Sequence, residues 1–187
     1  MNLIKKNCEK IEIYSIDEAF ISINRPHNKD LYPWARELRA LIYQNLGLTI
    51  TIGIGQNKSR AKLANKLAKR INSSAGIFDL ENVNNENSYL KEVKIDNIWG
   101  IGPQTSKWLR NRGIKNAKEL KDMNEYEIKK KLGIVGQRIQ LELKGYQCLP
   151  LEEKKRQKRE IQISRSFSQP ITKLEDLRHA LAIYAIR

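Results

Sequence analysis

Asp17 and Glu18 stand side by side in "YSIDEAFISI", Tyr14 to Ile23, a stretch otherwise rich in isoleucine and aromatic residues. Carboxylates are almost never buried alone, because removing water from an ionised group is very costly unless a cation or hydrogen bonds replace it. On a regular strand two neighbours point to opposite faces. At the tip of a hairpin that constraint relaxes, and both can reach one site. Two carboxylates at the end of a sheet suit a hard divalent cation such as Mg²⁺, which prefers oxygen ligands. On the dipeptide alone, a turn that happens to carry acidic residues is the better account.

A second stretch, "TIGIGQNKSRAKLANKLAK", Thr51 to Lys69, closes a strand at Gly55 and opens a helix near Asn57. A helix start offers free N–H groups and the positive end of the dipole, so it can bind phosphate. Lys58 opposes that dipole, and an anionic ligand would explain its presence. Lys62, Lys66 and Lys69 continue a basic stripe that reads as a solvated helix face.

A third stretch, "IWGIGPQTSKWLRNRGI", Ile98 to Ile114, has a Gly-Ile-Gly turn between two short helices, with Pro103 at a first helical position. Gly100, Ile101 and Gly102 would let backbone N–H groups approach a DNA phosphate, with Thr105 and Lys107 just beyond. "KLGIVGQRI", Lys131 to Ile139, is a candidate degenerate second copy. Arg165, in "ISRSF", is by itself a cation on an edge strand.

These residues need elements to hold them. Ile11–Ile16 and Ala19–Ile23 read as two strands meeting at Asp17-Glu18. Helices are expected over Leu31–Leu46 and about Asn57–Ile71, and strands over Leu48–Ile54 and Gly76–Leu80. This order suggests an α+β fold, with helices on one face of a mostly antiparallel sheet. "ENVNNENSY", Glu81 to Tyr89, reads as a boundary, and Lys94 to Gly145 reads as all-helical. "EEKKRQKRE", Glu152 to Glu160, reads as a solvated linker. A strand over Ile161–Phe167 and a helix from Thr172 to Arg187 follow.

Composition narrows the function. The 187 residues carry a formal charge of +14, which favours polyanionic partners, although a Lys-rich composition alone can produce it. No apolar run approaches the roughly 18 residues of a membrane span. Cys8 and Cys148 are too few for a disulfide scaffold, so a reducing cytoplasm is the default.

Taken in order, "YSIDEAF", "TIGIGQNKSRAKLANKLAK", "IWGIGPQTSKWLRNRGI" and "SRSF" resemble the Y family of translesion DNA polymerases, and in particular its SOS-mutagenesis branch. The resemblance runs from about Ile11 to Arg187. It implies part of a palm over 1–80, a helix-hairpin-helix thumb over 81–151, a charged linker over 152–160 and the start of a little-finger domain over 161–187. It implies that Asp17 and Glu18 serve the Mg²⁺ site and that Lys58 contacts the triphosphate of an incoming deoxynucleotide. Gly100, Ile101, Gly102, Thr105, Lys107 and Arg165 would contact primer-template DNA. Accessory SOS polymerase subunits and a sliding clamp are the implied partners of the full-length protein. The family's palm begins with another strand that carries a third metal-binding aspartate, and the fingers follow it. Both should precede "IEIYSIDEAF", so the chain is expected to be a truncated and catalytically incomplete fragment. The alternatives are a non-catalytic helix-hairpin-helix DNA-binding module and, less well matched, a nucleotide cyclase with a related sheet.

Overall fold

The computed structural model describes residues 1–24, 30–71, 74–152, 162, 164 and 166–185. It divides into two compact units, Met1–Glu153 and Lys154–Arg187.

In the first unit a short helix α1, Asn2–Asn7, precedes an antiparallel hairpin of β1, Lys10–Ile13, and β2, Ala19–Ser22. Ile13 lies opposite Ala19, so residues 14–18 form the turn and Asp17-Glu18 fall in it, outside the ladder. Helix α2, Tyr32–Leu46, buries Ala35, Leu38 and Ile42 at helical spacing and stops at Gly47, whose φ of 65° is left-handed. Strand β3, Ile52–Ile54, leads into α3, Lys58–Arg70, and the chain returns as β4, Ile77–Asp79, parallel to β3. The helical crossover brings the chain back to the same end of the sheet, which makes this pair parallel.

The mixed α+β class holds, but the expected single, mostly antiparallel sheet does not. Among the described residues there is one antiparallel pair and one parallel pair, and no ladder joins β2 to β3. The strand expected from Leu48 begins only at Ile52, whose N–H donates to the Gly76 carbonyl at 2.9 Å. The glycines of "TIGIG" let α3 lie directly on β3. A Cβ on Gly53 would sit 2.1 Å from the Asn65 nitrogen, and one on Gly55 would sit 2.5 Å from the Ala61 nitrogen.

The composition shift at Glu81–Tyr89 does not interrupt the core. One apolar cluster runs from Leu63, Leu67 and Phe78 through Leu90 and Ile95 to Leu109, Leu120 and Leu143. Asn85 caps α4, Glu86–Glu92, and Asn116 caps α6, Ala117–Asp122. Between them lies α5, Pro103–Arg110. The long α7, Glu125–Leu143, is broken at Gly133, where φ is 63° and ψ is −158°. That break falls in "KLGIVGQRI", so the candidate second copy is a helix–turn–helix within α7.

The second unit contributes α8, Leu174–Ala185, which exposes Leu174, Leu177, Leu181 and Ile183. The expected linker and Ile161–Phe167 strand lie largely outside the described residues.

Candidate functional site

The hairpin turn is fixed by its backbone. The N–H groups of Tyr14 and Ser15 both donate to the Glu18 carbonyl, at 3.0 and 3.1 Å. The Ser15 hydroxyl donates to Asp17 Oδ1 at 2.6 Å. That hydrogen bond, a backbone N–H, and the charges of Lys69 and Lys62 hold the Asp17 carboxyl below its usual range. Asp17 is exposed, so the pair avoids the desolvation cost that its apolar sequence surroundings suggest. Glu18 meets a cation from its own chain, since Lys62 Nζ donates to Glu18 Oε2 at 2.7 Å.

Helix α3 presents a similar arrangement. The Asn57 side chain accepts the Arg60 N–H at 3.0 Å, and Glu142 Oε2 accepts the Ser59 N–H at 2.9 Å. The Gln56 N–H donates to Glu81 at 3.0 Å. Lys58, buried at the first helical position, is paired with Glu12 of β1. The anion that offsets Lys58 is therefore a side chain of the protein. Arg60 is held by Glu81 at 2.7 Å and Glu86 at 2.8 Å, and Lys121 joins Glu86 at 2.9 Å. Sequence reasoning missed Arg60, yet its signal was present. Stepping back from Leu67, Ala64 and Leu63 at helical spacing lands on position 60, so Arg60 belongs to the buried face.

The Gly-Ile-Gly turn has an ordered frame and an open front. A single 3-10 turn, Ile95–Asn97, replaces the first expected helix. Gly100 takes φ 86°, and a Cβ there would meet Ile139 Cδ1 at 2.8 Å. Ile101 is buried and pins the turn to the core. Gly102 is the N-cap of α5, no side chain caps that end, and nothing lies within 4 Å of where its Cβ would be. Thr105 is half-buried and Lys107 exposed on the following turns. Trp99, just before the turn, donates its Nε1 proton to Tyr14 Oη at 3.0 Å. Arg165 lies outside the described residues.

A cleft of about 1070 Å³ separates the half-sheets. Phe20 and Ile21 of β2, Gly53 and Ile54 of β3, and Asp17 and Glu18 of the turn are among its lining residues. Among the described residues no three His, Cys, Asp or Glu side chains converge as a metal cluster. Asp17 and Glu18 are hard oxygen donors and fit Mg²⁺ in kind, although Lys62 holds one Glu18 oxygen. Burial raises the pKa of both Cys8 and Cys148, so neither is a ready nucleophile. No helix among the described residues is long and apolar enough to cross a membrane.

Residues 1–66 match the model of the impB/mucB/samB family. The whole chain is 38% identical to the protein UmuC of Salmonella typhimurium, spanning 45% of that protein. It is 31% identical to the protein MucB of Escherichia coli over 99% of this chain and 44% of MucB. Among solved structures, DinB from Sulfolobus solfataricus matches 82% of this chain and 45% of its own, with a TM-score of 0.62 at 28% identity. An insertion ternary complex of Dbh DNA polymerase matches 81% of this chain and 44% of its own, with a TM-score of 0.62 at 29% identity. The chain thus spans less than half the length of these relatives. In sequence it is similar to these proteins, and in fold it is similar to solved Y-family DNA polymerases. Its sequence is UmuC-like.

Proposed function

We propose that this chain supplies part of the palm (1–80), the thumb (81–151), the linker (152–160) and the start of the little finger (161–187) of an error-prone translesion DNA polymerase. The substrates of that enzyme are primer-template DNA and deoxynucleoside triphosphates, and its reaction adds a nucleotide opposite a damaged template base in the cytoplasm. Accessory SOS polymerase subunits and a sliding clamp are partners of the whole protein. The observation that carries this reading is the acidic pair fixed at a hairpin tip beside the lysines of α3, in the same unit as an uncapped Gly-Ile-Gly helix start.

In this reading Asp17 and Glu18 hold Mg²⁺, which when bound lowers the pKa of the primer 3′-hydroxyl and neutralises charge on the leaving pyrophosphate. Lys58 contacts the triphosphate after exchanging its Glu12 partner for phosphate. Gly100, Ile101 and Gly102, with Thr105 and Lys107, grip the primer-template backbone, and Arg165 contacts template phosphate. A second reading, a DNA-binding module without chemistry, is favoured by the closed ion pairs Glu12–Lys58 and Glu18–Lys62.

The two readings separate on metal and nucleotide. The chain should bind primer-template DNA with an affinity that falls steeply as salt rises, because its contacts are to phosphates. Mn²⁺ binding should tighten when a deoxynucleoside triphosphate is present and weaken in Asp17→Ala. Salt-independent DNA affinity would refute the nucleic-acid assignment, and Mn²⁺ binding indifferent to Asp17→Ala would refute the metal site. With two carboxylates, one of them engaged by a lysine, the isolated chain should not extend a primer measurably with Mg²⁺ and all four deoxynucleotides. Two-metal catalysis must hold its ions roughly 3.5–4 Å apart, and a misplacement of about 1 Å can cost around a hundredfold. Extension that Asp17→Ala abolishes would show that the pair suffices.

A further inference from the structure

Three aromatic rings join the hairpin tip to the Gly-Ile-Gly turn. Tyr14, Phe20 and Trp99 form a closed triangle in which each pair of ring centroids is 5.6 Å apart. The Tyr14 ring meets each of the other two edge-on, at 66° and 85°, an arrangement aromatic pairs favour. The Trp99 indole N–H closes the figure with its 3.0 Å bond to Tyr14 Oη. The Lys62 ammonium lies 4.7 Å from the Tyr14 ring centroid and 5.9 Å from that of Phe20, while donating to Glu18. Tyr14 and Phe20 flank Asp17-Glu18 in the chain, and Trp99 is the residue before Gly100. The path from the turn to the carboxylates is thus Gly100, Trp99, Tyr14, Lys62, Glu18, with contact or covalent linkage at each step.

We infer that Trp99 is a positioning residue that couples DNA held at the Gly100–Gly102 turn to cation binding at Asp17-Glu18. This rests on the proposed function for the two ends; the coupling between them is the new element. The turn cannot shift without moving the indole, and the indole cannot move without disturbing the Tyr14 ring under Lys62. Either ligand therefore holds the same three rings in place, and the cost of ordering them falls on whichever binds first. The second then binds more tightly with no change of fold. By linkage the effect is reciprocal.

The test measures the affinity of this chain for a fluorescein-labelled primer-template duplex, with and without saturating Mn²⁺. The wild-type chain should bind the duplex about tenfold more tightly with Mn²⁺, within the usual range of such coupling. Asp17→Ala, which removes the cation site, should lose that gain and so control for Mn²⁺ acting on the DNA alone. Trp99→Phe keeps a ring but not the N–H, and Tyr14→Phe keeps a ring but not the hydroxyl. Each should retain most of the Mn²⁺-free affinity and an unchanged circular dichroism spectrum, yet lose most of the tenfold gain. A double variant should lose no more than either alone. A merely structural Trp99 would lower both affinities together and leave their ratio intact, which would overturn the inference. Full Mn²⁺ enhancement in both Phe variants would overturn it as well. A wild-type chain that binds neither duplex nor Mn²⁺ would instead fail at the proposed function and take the inference with it.

Discussion

Glu142 is a carboxylate with no exposed surface, and it accepts three backbone N–H groups: Ser59 at 2.9 Å, Cys148 at 3.2 Å and Leu149 at 2.8 Å. It thereby caps α3 from the end of α7 and ties down the segment after it. The signal was visible in "RIQLELKG", where position 142 falls three residues after Ile139 and so on its face of the helix, but a lone acid within an apolar pattern does not announce which donors it will meet. Its removal should be felt in stability. Each buried N–H left without an acceptor costs about 1–3 kcal/mol, so Glu142→Ala should lower unfolding free energy by at least about 3 kcal/mol in urea titrations. Glu142→Gln, which keeps one carbonyl acceptor, should cost less. A Glu142→Ala chain within about 1 kcal/mol of the parent would mean that water replaces the carboxylate.

At the scale of elements, α2, α3 and the hairpin were legible in the sequence because caps and periodicity are local, whereas α1 and α4 were not. Asn57 and Gly47 mark ends that the structure keeps, whereas the Asn85 and Asn116 caps went unread. The partners of charged residues were not legible, since Glu12 and Lys58 are far apart in sequence and meet only once β1 and α3 are placed. The helix dipole called for an anion beside Lys58, and in the structure a carboxylate of the chain itself, Glu12, supplies one. The network of Arg60, Glu81, Glu86 and Lys121 shows how such pairs set pH dependence. Burial pushes the Glu86 carboxyl up, but hydrogen bonds from Arg60 and Lys121 outweigh it and leave the group below its usual range. A depressed folded value stabilises the protein above the unfolded pKa of about 4.3, and that stability is lost as pH falls through the folded value. Glu86→Gln should therefore destabilise the chain at pH 6 and matter progressively less toward pH 3, as read from thermal midpoints. A constant difference across that range would mean that Glu86 acts by shape.

At the scale of the molecule, the cleft between β2 and β3 has a consequence in time. Among the described residues no backbone ladder crosses it, and the hairpin meets the rest through side chains, among them the Lys58–Glu12 and Lys62–Glu18 ion pairs, the Glu12 carboxylate on the Glu152 N–H and the aromatic contact to Trp99. Strands β3 and β4, by contrast, lie against α3, which buries seven residues. Elements joined by few apolar contacts open at lower free energy than those built into the core. Salt screens the half-exposed Lys62–Glu18 pair far more than a buried contact. The amides of β1 and β2 should therefore exchange with deuterium well before those of β3 and β4, and added salt should widen the gap. Equal exchange in the two pairs would show that the hairpin and the core open as one. If the gap exists, the acidic turn belongs to the quickest-moving sheet in the unit, and its residence in the closed arrangement, rather than its geometry alone, sets how long a bound cation stays.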